Sequence, residues 1–486
     1  MKVCVLSENS NGTAPHLHYR NLGASEVGRK LASKNIPYSI FEWFTHWNKS
    51  DLKECVLRFL KDTAKPVIAI SVPFTVKDVY SIKDMLVDLK QEITNLEIII
   101  GGNRVYDSNL ADVIDHFFIG RSMEIFDAWL DGRSLDKYKT VEPKVYLNKI
   151  INAHNEIPVI SSYNDSDFIT KHDVLGFELG IGCRFNCTFC NYDLRNMRNP
   201  LIVDPVETAG KLQSLHDRYG VTNFFITDDT INESIEKLQA LSTILGLLTF
   251  KPNLAGYFRL DLLESEEQQK YWQKINMAGV FFGIETFNPE ASKGVRKSSR
   301  MLFQIETLKK LRTLTPNTFL TAGMIIGLTG DSEEHIFKSL ENVAEQNLLD
   351  SMLYSPLGLT SMNSSVFDDF MLSDLVKDPE RFGYKLTGEI IPRSDHSVQD
   401  ALVWKNEWCD YHRAKDLYTE VAARQEELRI GIADAFDLLP ALSLGIIEHN
   451  QEFVQNTRRV KELCRKKSKI LKHNYFEQKK QYILSL

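Results

Sequence analysis

The stretch Gly182-Cys183-Arg184-Phe185-Asn186-Cys187-Thr188-Phe189-Cys190-Asn191-Tyr192 holds three of the seven cysteines of this 486-residue chain. Their spacing is C-x3-C-x2-C, and they follow an apolar run at residues 174–179 that predicts a β-strand. A short loop after a strand brings several thiolates together, and thiolates are the soft ligands that iron–sulfur clusters need. Three cysteines for four irons predict a 4Fe-4S cluster in which one iron stays open for another ligand.

Two other interpretations of these cysteines stay open on the residues alone, namely a structural zinc site and buried free thiols. Structural zinc takes four ligands in a closed tetrahedron. No further cysteine lies near the loop in the sequence, and His172 is a poor candidate for a fourth ligand. The spacing and the strand before it favour the cluster.

A C-x3-C-x2-C motif after the first strand of an α/β domain resembles the radical SAM superfamily. In that family the open iron is chelated by S-adenosylmethionine. The resemblance implies reductive cleavage of S-adenosylmethionine to methionine and a 5′-deoxyadenosyl radical, with a reductant such as flavodoxin or ferredoxin. It does not specify the substrate, which stays open as a small molecule, a peptide or a nucleic acid.

The overall composition is that of a globular protein, with 43% hydrophobic and 25% charged residues and a net charge of −7. This charge gives no general attraction to nucleic acid or anionic membranes, and no apolar run has the length of a transmembrane helix. The remaining cysteines are scattered and imply no disulfide framework: Cys4, Cys55, Cys409 and Cys464. We therefore expect free thiols and a cytoplasmic protein.

Residues 1–132 alternate short β-branched or aromatic runs with helical stretches. This alternation predicts an α/β domain with a Rossmann-like, doubly wound parallel sheet. Ligands of such sheets bind beyond the carboxyl ends of the strands, where Ser71, Gly101, Gly102 and Gly120 lie. Glycines at these ends let the backbone approach a ligand closely.

The stretches 69–74, 98–103 and 118–124 resemble, in this order, the cobalamin-binding domain that precedes the radical SAM domain in one large subfamily. The resemblance implies that the serine and glycines just named bind cobalamin. The family's Gly-Glu-Gly-Glu is here Gly120-Arg121-Ser122-Met123, and the Asp-x-His-x-x-Gly motif that supplies a histidine below the cobalt is absent. We expect cobalamin without such a histidine; the alternative is a scaffold domain that has lost the cofactor.

Three further regions follow. Residues 133–170 are polar without sustained periodicity and predict a linker. Residues 171–360 repeat six strand–helix units, which predicts a partial (β/α)6 barrel, a partial TIM barrel with its site at the carboxyl ends of the strands. Residues 361–486 predict a helical carboxyl-terminal region that ends in a basic tail.

Acidic residues end two of the barrel strands. Asp228 and Asp229 follow the second strand, where the family has carboxylates near the methionine amino group; a helix cap before residue 231 is the alternative. Glu285, in Gly283-Ile284-Glu285-Thr286, resembles the group that contacts S-adenosylmethionine. The resemblance also places Lys297 near the S-adenosylmethionine carboxylate.

Other strand ends carry residues with weaker signals. Gly327 ends the fifth strand, where the family packs adenine, and Ser332 is a plausible cap for the next helix. Arg259 follows the third strand and either binds a substrate anion or pairs with Asp261.

The carboxyl-terminal region offers two further signals. Trp404 and Trp408 are four residues apart, which predicts one helical face that either walls the substrate pocket or packs in the core. Residues 458–480 hold ten Lys or Arg against two Glu. This excess predicts either a docking surface for RNA, DNA or an acidic peptide, or a solvated helix face.

These features predict a radical SAM enzyme that functionalises an unactivated position, with cobalamin-dependent methyl transfer to carbon or phosphorus as the expected reaction. Two alternatives stay open. One is a cobalamin-independent radical SAM enzyme that performs a rearrangement or an oxidation. The other is a non-enzymatic, cluster-bearing binding protein.

Overall fold

A computed structural model describes residues 1–9, 18–73, 76–103, 105–148, 158–192, 194–197, 201–297, 301–362, 372–391, 399–448 and 450–486. The strands are β1 (Lys2–Ser7), β2 (Tyr38–Glu42), β3 (Pro66–Ser71), β4 (Glu97–Gly102), β5 (His116–Ile119), β6 (Val145–Leu147), β7 (Val174–Phe177), β8 (Gly180–Ile181), β9 (Leu201–Ile202), β10 (Asn223–Ile226), β11 (Asn253–Phe258), β12 (Gly279–Glu285), β13 (Phe319–Ile326), β14 (Ser351–Pro356), β15 (Thr360–Met362), β16 (Lys385–Ile391) and β17 (Gln399–Lys405). The helices are α1 (Leu22–Ser33), α2 (Lys49–Leu60), α3 (Lys77–Tyr80), α4 (Lys83–Glu92), α5 (Met123–Leu130), α6 (Pro205–Tyr219), α7 (Ile235–Leu247), α8 (Glu266–Ile275), α9 (Pro289–Gly294), α10 (Met301–Leu314), α11 (Glu333–Glu345), α12 (Asp374–Lys377), α13 (Tyr411–Leu428), α14 (Ala435–Ser443), α15 (Asn450–Gln455) and α16 (Thr457–Ser485).

The first sheet is parallel over the described residues, in the order β2-β1-β3-β4-β5-β6. Its central strands are nearly continuous apolar runs, typical of parallel sheets covered by helices on both faces. The predicted doubly wound sheet is confirmed. It extends past residue 132, because β6 pairs with β5 inside the predicted linker. Residues 149–157 of that linker lie outside the described residues.

The second sheet is also parallel, in the order β14-β13-β12-β11-β10-β7, as the partial barrel predicts. Its helices bury one face in the largest core of the molecule. The other face packs on α14, whose Phe436 contacts Phe225, Tyr257 and Phe281. Ser332 caps α11 as predicted, because its Oγ accepts a hydrogen bond from the His335 N–H at 3.2 Å.

The carboxyl-terminal region contains the predicted helices and also a small antiparallel sheet, β15-β17-β16. Trp404 lies in β17 and Trp408 in the loop that follows, so the prediction that they share a helical face is wrong. Four-residue spacing alone does not distinguish a helix from a strand that ends in a turn. Trp404 is fully buried, and its Nε1 donates a hydrogen bond to the Leu357 carbonyl at 2.9 Å, so it belongs to the core.

The basic tail is the long helix α16, which packs against both α/β units. Tyr475 contacts β2, where its hydroxyl accepts a hydrogen bond from the Glu42 N–H at 3.1 Å and donates one to the Ile40 carbonyl at 3.2 Å. The alternative of a solvated helix face therefore does not hold for the stripe that packs on the two units, and a docking surface for RNA, DNA or an acidic peptide stays a prediction for the exposed basic residues. Its buried stripe has helical spacing and includes two lysines: Val460, Cys464, Ser468, Lys472, Tyr475, Lys479 and Ile483.

A buried ion pair marks the place where the two units and α16 meet. Arg20 Nε donates to Asp173 Oδ1 at 2.7 Å, and both side chains are almost fully buried. The Arg20 guanidinium also lies 4.4 Å from the Trp43 ring and 4.6 Å from the Tyr475 ring. Burial alone would raise the pKa of Asp173, but Arg20 and His18 outweigh it and hold the pKa well below its usual range.

Lys472 is buried beside this pair at a cost in stability. It is 2% exposed, its Nζ lies 5.1 Å from the Trp43 ring, and no described residue accepts a hydrogen bond from it. Burial lowers the pKa of Lys472 to about 8, partly opposed by Glu8. Between pH 8 and the ordinary lysine pKa, the unfolded chain therefore binds more protons than the folded one.

We predict that Lys472→Met stabilises the protein at pH 7 by up to about 3 kcal/mol, because it removes a charge whose folded-state pKa is depressed. The wild type should gain stability as the pH rises from 8 to about 10.5, so the difference in free energy of unfolding between Lys472→Met and the wild type should become smaller over this range. Denaturation at several pH values measures this, with Lys480→Met as the control, since hydrogen bonds to Asp51 and Glu54 hold the pKa of Lys480 above its ordinary value. Parallel pH curves for wild type and Lys472→Met would contradict the prediction.

Candidate functional site

The cysteine loop lies between β8 and β9, at the carboxyl end of β7. Its own backbone fixes its course: the Cys183 N–H donates to the Leu194 carbonyl at 3.0 Å, and the Cys190 N–H donates to the Cys187 carbonyl at 3.1 Å. All three cysteines are half-buried free thiols. The structure thus places the three predicted cluster ligands together on one ordered loop.

Polar groups surround the three sulfur atoms. The Tyr192 N–H donates to Cys190 Sγ at 3.4 Å, Arg259 Nη1 donates to Cys187 Sγ at 3.6 Å, and Cys183 Sγ lies 3.7 Å from Thr230 Oγ1. Burial raises the pKa of Cys190 to about 11, so its proton has to be displaced by the metal. N–H groups aimed at sulfur stabilise thiolate charge. This donor set fits an iron–sulfur cluster.

The described residues contain no group of three or more His, Cys, Asp or Glu side chains set to hold a single metal ion. His172 precedes β7, at the edge opposite the cysteine loop, and its Nδ1 lies 2.7 Å from the Ser443 carbonyl oxygen. His172 is therefore not placed to complete a site with the three cysteines.

Asp228 is enclosed behind the cysteine loop. Its Oδ1 accepts a hydrogen bond from the Leu179 N–H at 2.7 Å, and its Oδ2 lies 2.6 Å from Lys237 Nζ. Lys237 also lies 2.6 Å from Glu233, and the two carboxylates outweigh burial and raise the pKa of Lys237. Asp228 thus fixes the strand that leads into the loop.

Asp229 has a different environment, because it lines the cavity described below. The alternative that this pair caps a helix before residue 231 is wrong. Helix α7 begins at Ile235, and Ser234 is its N-cap, accepting a hydrogen bond from the Lys237 N–H.

Glu285 ends β12 in a strained backbone conformation. Its φ is +70°, and the register with β13 shifts between Gly283 and Glu285. Lys297 Nζ lies 2.8 Å from Glu285 Oε1 and also donates to the Gly283 carbonyl. Strain of this kind persists where the surroundings impose it and is concentrated at functional sites. The structure therefore brings Glu285 and Lys297 together, as neighbours at one strand end.

Gly327 opens the turn after β13. Its φ is +98°, and a Cβ there would lie 2.1 Å from the Trp404 ring, so glycine is required. Its carbonyl accepts hydrogen bonds from Tyr384 Oη at 3.1 Å and from Asn406 Nδ2 at 2.9 Å. The carboxyl-terminal region therefore holds the turn that was predicted to lie beside adenine.

A cavity of about 570 Å³ joins the carboxyl edge of the first sheet to the cysteine loop. Ser71, Gly101, Gly102 and Gly120 line one side, as predicted for a ligand of this sheet; Phe74 lies outside the described residues. A Cβ on Gly101 would meet its nearest atom, Ser122 Oγ, at 3.6 Å, so glycine there leaves room for a ligand. The other side belongs to the second unit and the cysteine loop: Glu178, Tyr192, Leu194, Thr227 and Asp229.

An ion pair crosses this cavity between the two sheets. Arg121, next to Gly120, donates to both oxygens of Glu178 at 2.6 and 3.0 Å. Glu178 follows β7 and also accepts a hydrogen bond from the Val159 N–H at 2.8 Å. Sequence reasoning missed this pair; its signal was the arginine that stands where the resembled motif has glutamate.

Comparison with known proteins agrees with this architecture. Residues 177–343, which include the cysteine loop, match the family model described as the radical SAM superfamily. This stretch is a radical SAM domain, preceded by a Rossmann-like domain. No curated protein matches the chain by sequence.

Solved structures match over almost the whole chain. The radical S-adenosylmethionine methyltransferase TsrM from Kitasatospora setae, with cobalamin and a 4Fe-4S cluster bound, has a TM-score of 0.66 at 12% identity, covering 96% of this chain and 100% of that one. The cobalamin-dependent S-adenosylmethionine radical enzyme OxsB, with aqua-cobalamin and S-adenosylmethionine bound, has a TM-score of 0.61 at 12% identity, covering 95% and 71%. The chain therefore has the fold of these enzymes, a Rossmann-like domain followed by a radical SAM partial barrel.

We predict that Arg121 and Glu178 couple the two domains. A double-mutant cycle with Arg121→Gln and Glu178→Gln should give a coupling energy of about 1–2 kcal/mol in denaturant unfolding, since both groups are mostly buried and the bonds are charge-assisted. The control is the Arg29–Glu26 pair within α1, which also forms two hydrogen bonds, through Nε and Nη2, and should give about 0.3–0.5 kcal/mol. Equal coupling in both cycles would contradict a role between domains.

Proposed function

We propose that the chain is a cobalamin-dependent radical SAM enzyme that transfers a methyl group to an unactivated carbon or phosphorus atom. The observation that carries this proposal is that the carboxyl edge of the Rossmann-like sheet and the cysteine loop line the same cavity. A corrinoid on the first side would face a cluster on the second. The TsrM structure contains both groups, and OxsB is described as cobalamin-dependent.

In this proposal three thiolates hold the 4Fe-4S cluster, from Cys183, Cys187 and Cys190. When bound, the cluster supplies the electron that cleaves S-adenosylmethionine, and cobalamin supplies a carrier for the methyl group. The buried Asp228–Lys237 pair supports the loop from behind. The half-buried site limits water around the three sulfurs and so strengthens their contacts with nearby donors.

The S-adenosylmethionine site would be formed by the remaining strand ends. Asp229 lines the cavity and is exposed there, whereas Asp228 is buried and does not line it, so Asp229 is the better placed of the two aspartates to accept hydrogen bonds from the methionine amino group. Glu285 and Lys297 offer opposite charges at the end of β12, which suits the amino and carboxylate groups of an amino acid. The turn at Gly327 would pass beside adenine.

On the corrinoid side, Ser71, Gly101, Gly102 and Gly120 would lie against the ring. Gly102 has no space for a side chain, since its Cβ would lie 1.8 Å from the Val72 carbonyl oxygen. Among the described residues that line the cavity there is no histidine. This lining supports cobalamin held without a protein histidine.

Electrons would come from a small redox protein such as flavodoxin or ferredoxin, in a reducing compartment such as the cytoplasm. No described helix is both long and apolar enough to cross a membrane.

The first test is anaerobic purification with iron and cobalt analysis, a visible spectrum and a product assay. We expect absorbance at about 400 nm from a thiolate-bound iron–sulfur cluster. We also expect formation of 5′-deoxyadenosine or S-adenosylhomocysteine that depends on a reductant. The variant Cys183→Ala/Cys187→Ala/Cys190→Ala should lose iron and both products, whereas Cys409→Ala, outside the loop, should keep the iron. Full iron content in the triple variant would refute the cluster assignment. Absence of both products would favour a non-enzymatic binding protein.

The second test concerns the corrinoid. Protein supplied with hydroxocobalamin and then desalted should retain it, and the paramagnetic-resonance spectrum of the cobalt(II) form should show no splitting from an axial nitrogen. His172→Ala is the control variant, because the His172 Nδ1 lies 2.7 Å from the Ser443 carbonyl oxygen and His172 does not line the cavity; its spectrum should equal that of the wild type. Nitrogen splitting would contradict the ligand assignment. Failure to retain corrinoid, with S-adenosylmethionine cleavage intact, would indicate a cobalamin-independent radical enzyme.

A further inference from the structure

A guanidinium group lies against the cysteine loop at the carboxyl end of β11. Arg259 is 5% exposed, and its Nη1 donates to Cys187 Sγ at 3.6 Å. Its Cζ lies 3.9 Å from the centre of the Phe185 ring, which belongs to the same loop. The side chain thus contacts the loop through a polar and an aromatic group together.

Arg259 is held in this position at both ends. Its Nε and Nη2 donate to the two oxygens of Asp261 at 3.0 and 2.7 Å. Its backbone N–H donates to Asn232 Oδ1 at 2.8 Å, and Asn232 Nδ2 donates to its carbonyl at 2.9 Å. Turning the guanidinium away from Cys187 would break the fork to Asp261.

These contacts separate the two roles that the sequence left open. The pairing with Asp261 is confirmed. Each nitrogen of the guanidinium already donates one hydrogen bond, two to Asp261 and one to Cys187, and Arg259 is only 5% exposed, so little of the group is open to a substrate anion. The ion pair with Asp261 does not explain the hydrogen bond from Arg259 Nη1 to Cys187 Sγ.

We propose that Arg259 raises the reduction potential of the cluster through its hydrogen bond to the Cys187 sulfur. This inference rests on the proposed function. When the cluster accepts one electron from a flavodoxin or ferredoxin, negative charge on its thiolates increases, and a hydrogen bond to sulfur becomes stronger. Donors to cluster sulfur therefore favour the reduced state.

Asp261 opposes this effect while it orients the donor. Its carboxylate offsets much of the Arg259 charge, so the directed N–H group supplies most of the stabilisation. Because the site is largely buried, water screens the contact weakly. Arg259 and Asp261 should therefore shift the potential in opposite directions, which a merely structural pair would not do.

The test is a redox titration of the reconstituted holoenzyme, followed by the paramagnetic-resonance signal of the reduced cluster. Arg259→Gln should lower the ratio of reduced to oxidised cluster about tenfold at a fixed potential, equivalent to a midpoint about 59 mV more negative for one electron. Arg259→Lys should fall between Arg259→Gln and the wild type. Asp261→Asn should shift the midpoint to more positive values.

The control is Arg184→Gln, which removes an exposed guanidinium of the same loop that donates to the Glu233 carbonyl at 2.9 Å. Its midpoint should equal that of the wild type. If Arg259→Gln and Asp261→Asn hold a cluster at the wild-type potential, or both shift in the same direction, the inference is overturned while the proposed function stands. A wild-type protein that binds no cluster would overturn both. Should Arg259→Gln lose its cluster, Arg259→Lys and Asp261→Asn still decide the sign.

Discussion

The arrangement of the molecule depends on one buried ion pair, between Arg20 and Asp173. Arg20 precedes α1 of the first unit, and Asp173 precedes β7, the strand that leads to the cysteine loop. Losing one partner of a buried pair leaves an uncompensated charge, so the pair strongly resists separation. Because Trp43 and Tyr475 cover the same guanidinium, the pair also fixes α16 against both units.

This junction places two carboxyl edges around one cavity. Parallel strands end together, so each sheet delivers its loops to a single edge, and the junction turns the two edges toward each other. The Arg121–Glu178 pair then spans the space between them, and the Asp228–Lys237 pair supports the cysteine loop. Burying a polar group costs free energy unless the group is paired. Here the two pairs lie between the two sheets and behind the cysteine loop, where they hold the walls of the cavity in position.

The sequence predicted the elements that local patterns encode. The βα alternation and the cysteine spacing are short-range signals, and both sheets and the cysteine loop follow them. Partners distant in the chain were not predictable: Arg121 lies 57 residues from Glu178, and Arg259 lies 72 from Cys187. Lys472 and Lys479 contribute to the charge excess that predicts a basic tail, yet both are buried, because packing on two units overrides the usual exposure of lysine. The strands β6 and β15 have three residues each, too few for a period of two to be recognised.

Helix α16 is synthesised last, yet it covers part of the first sheet, which is synthesised first. The Glu42 N–H, at the end of β2, has its acceptor on Tyr475, 433 residues later. While the chain emerges from the ribosome, the first sheet has its strands but lacks the helix that covers this part of its surface. The aromatic face around Trp43 and Trp47 stays uncovered until α16 arrives. A nascent chain therefore carries an apolar surface through most of translation, which is a reason for a chaperone to bind it there.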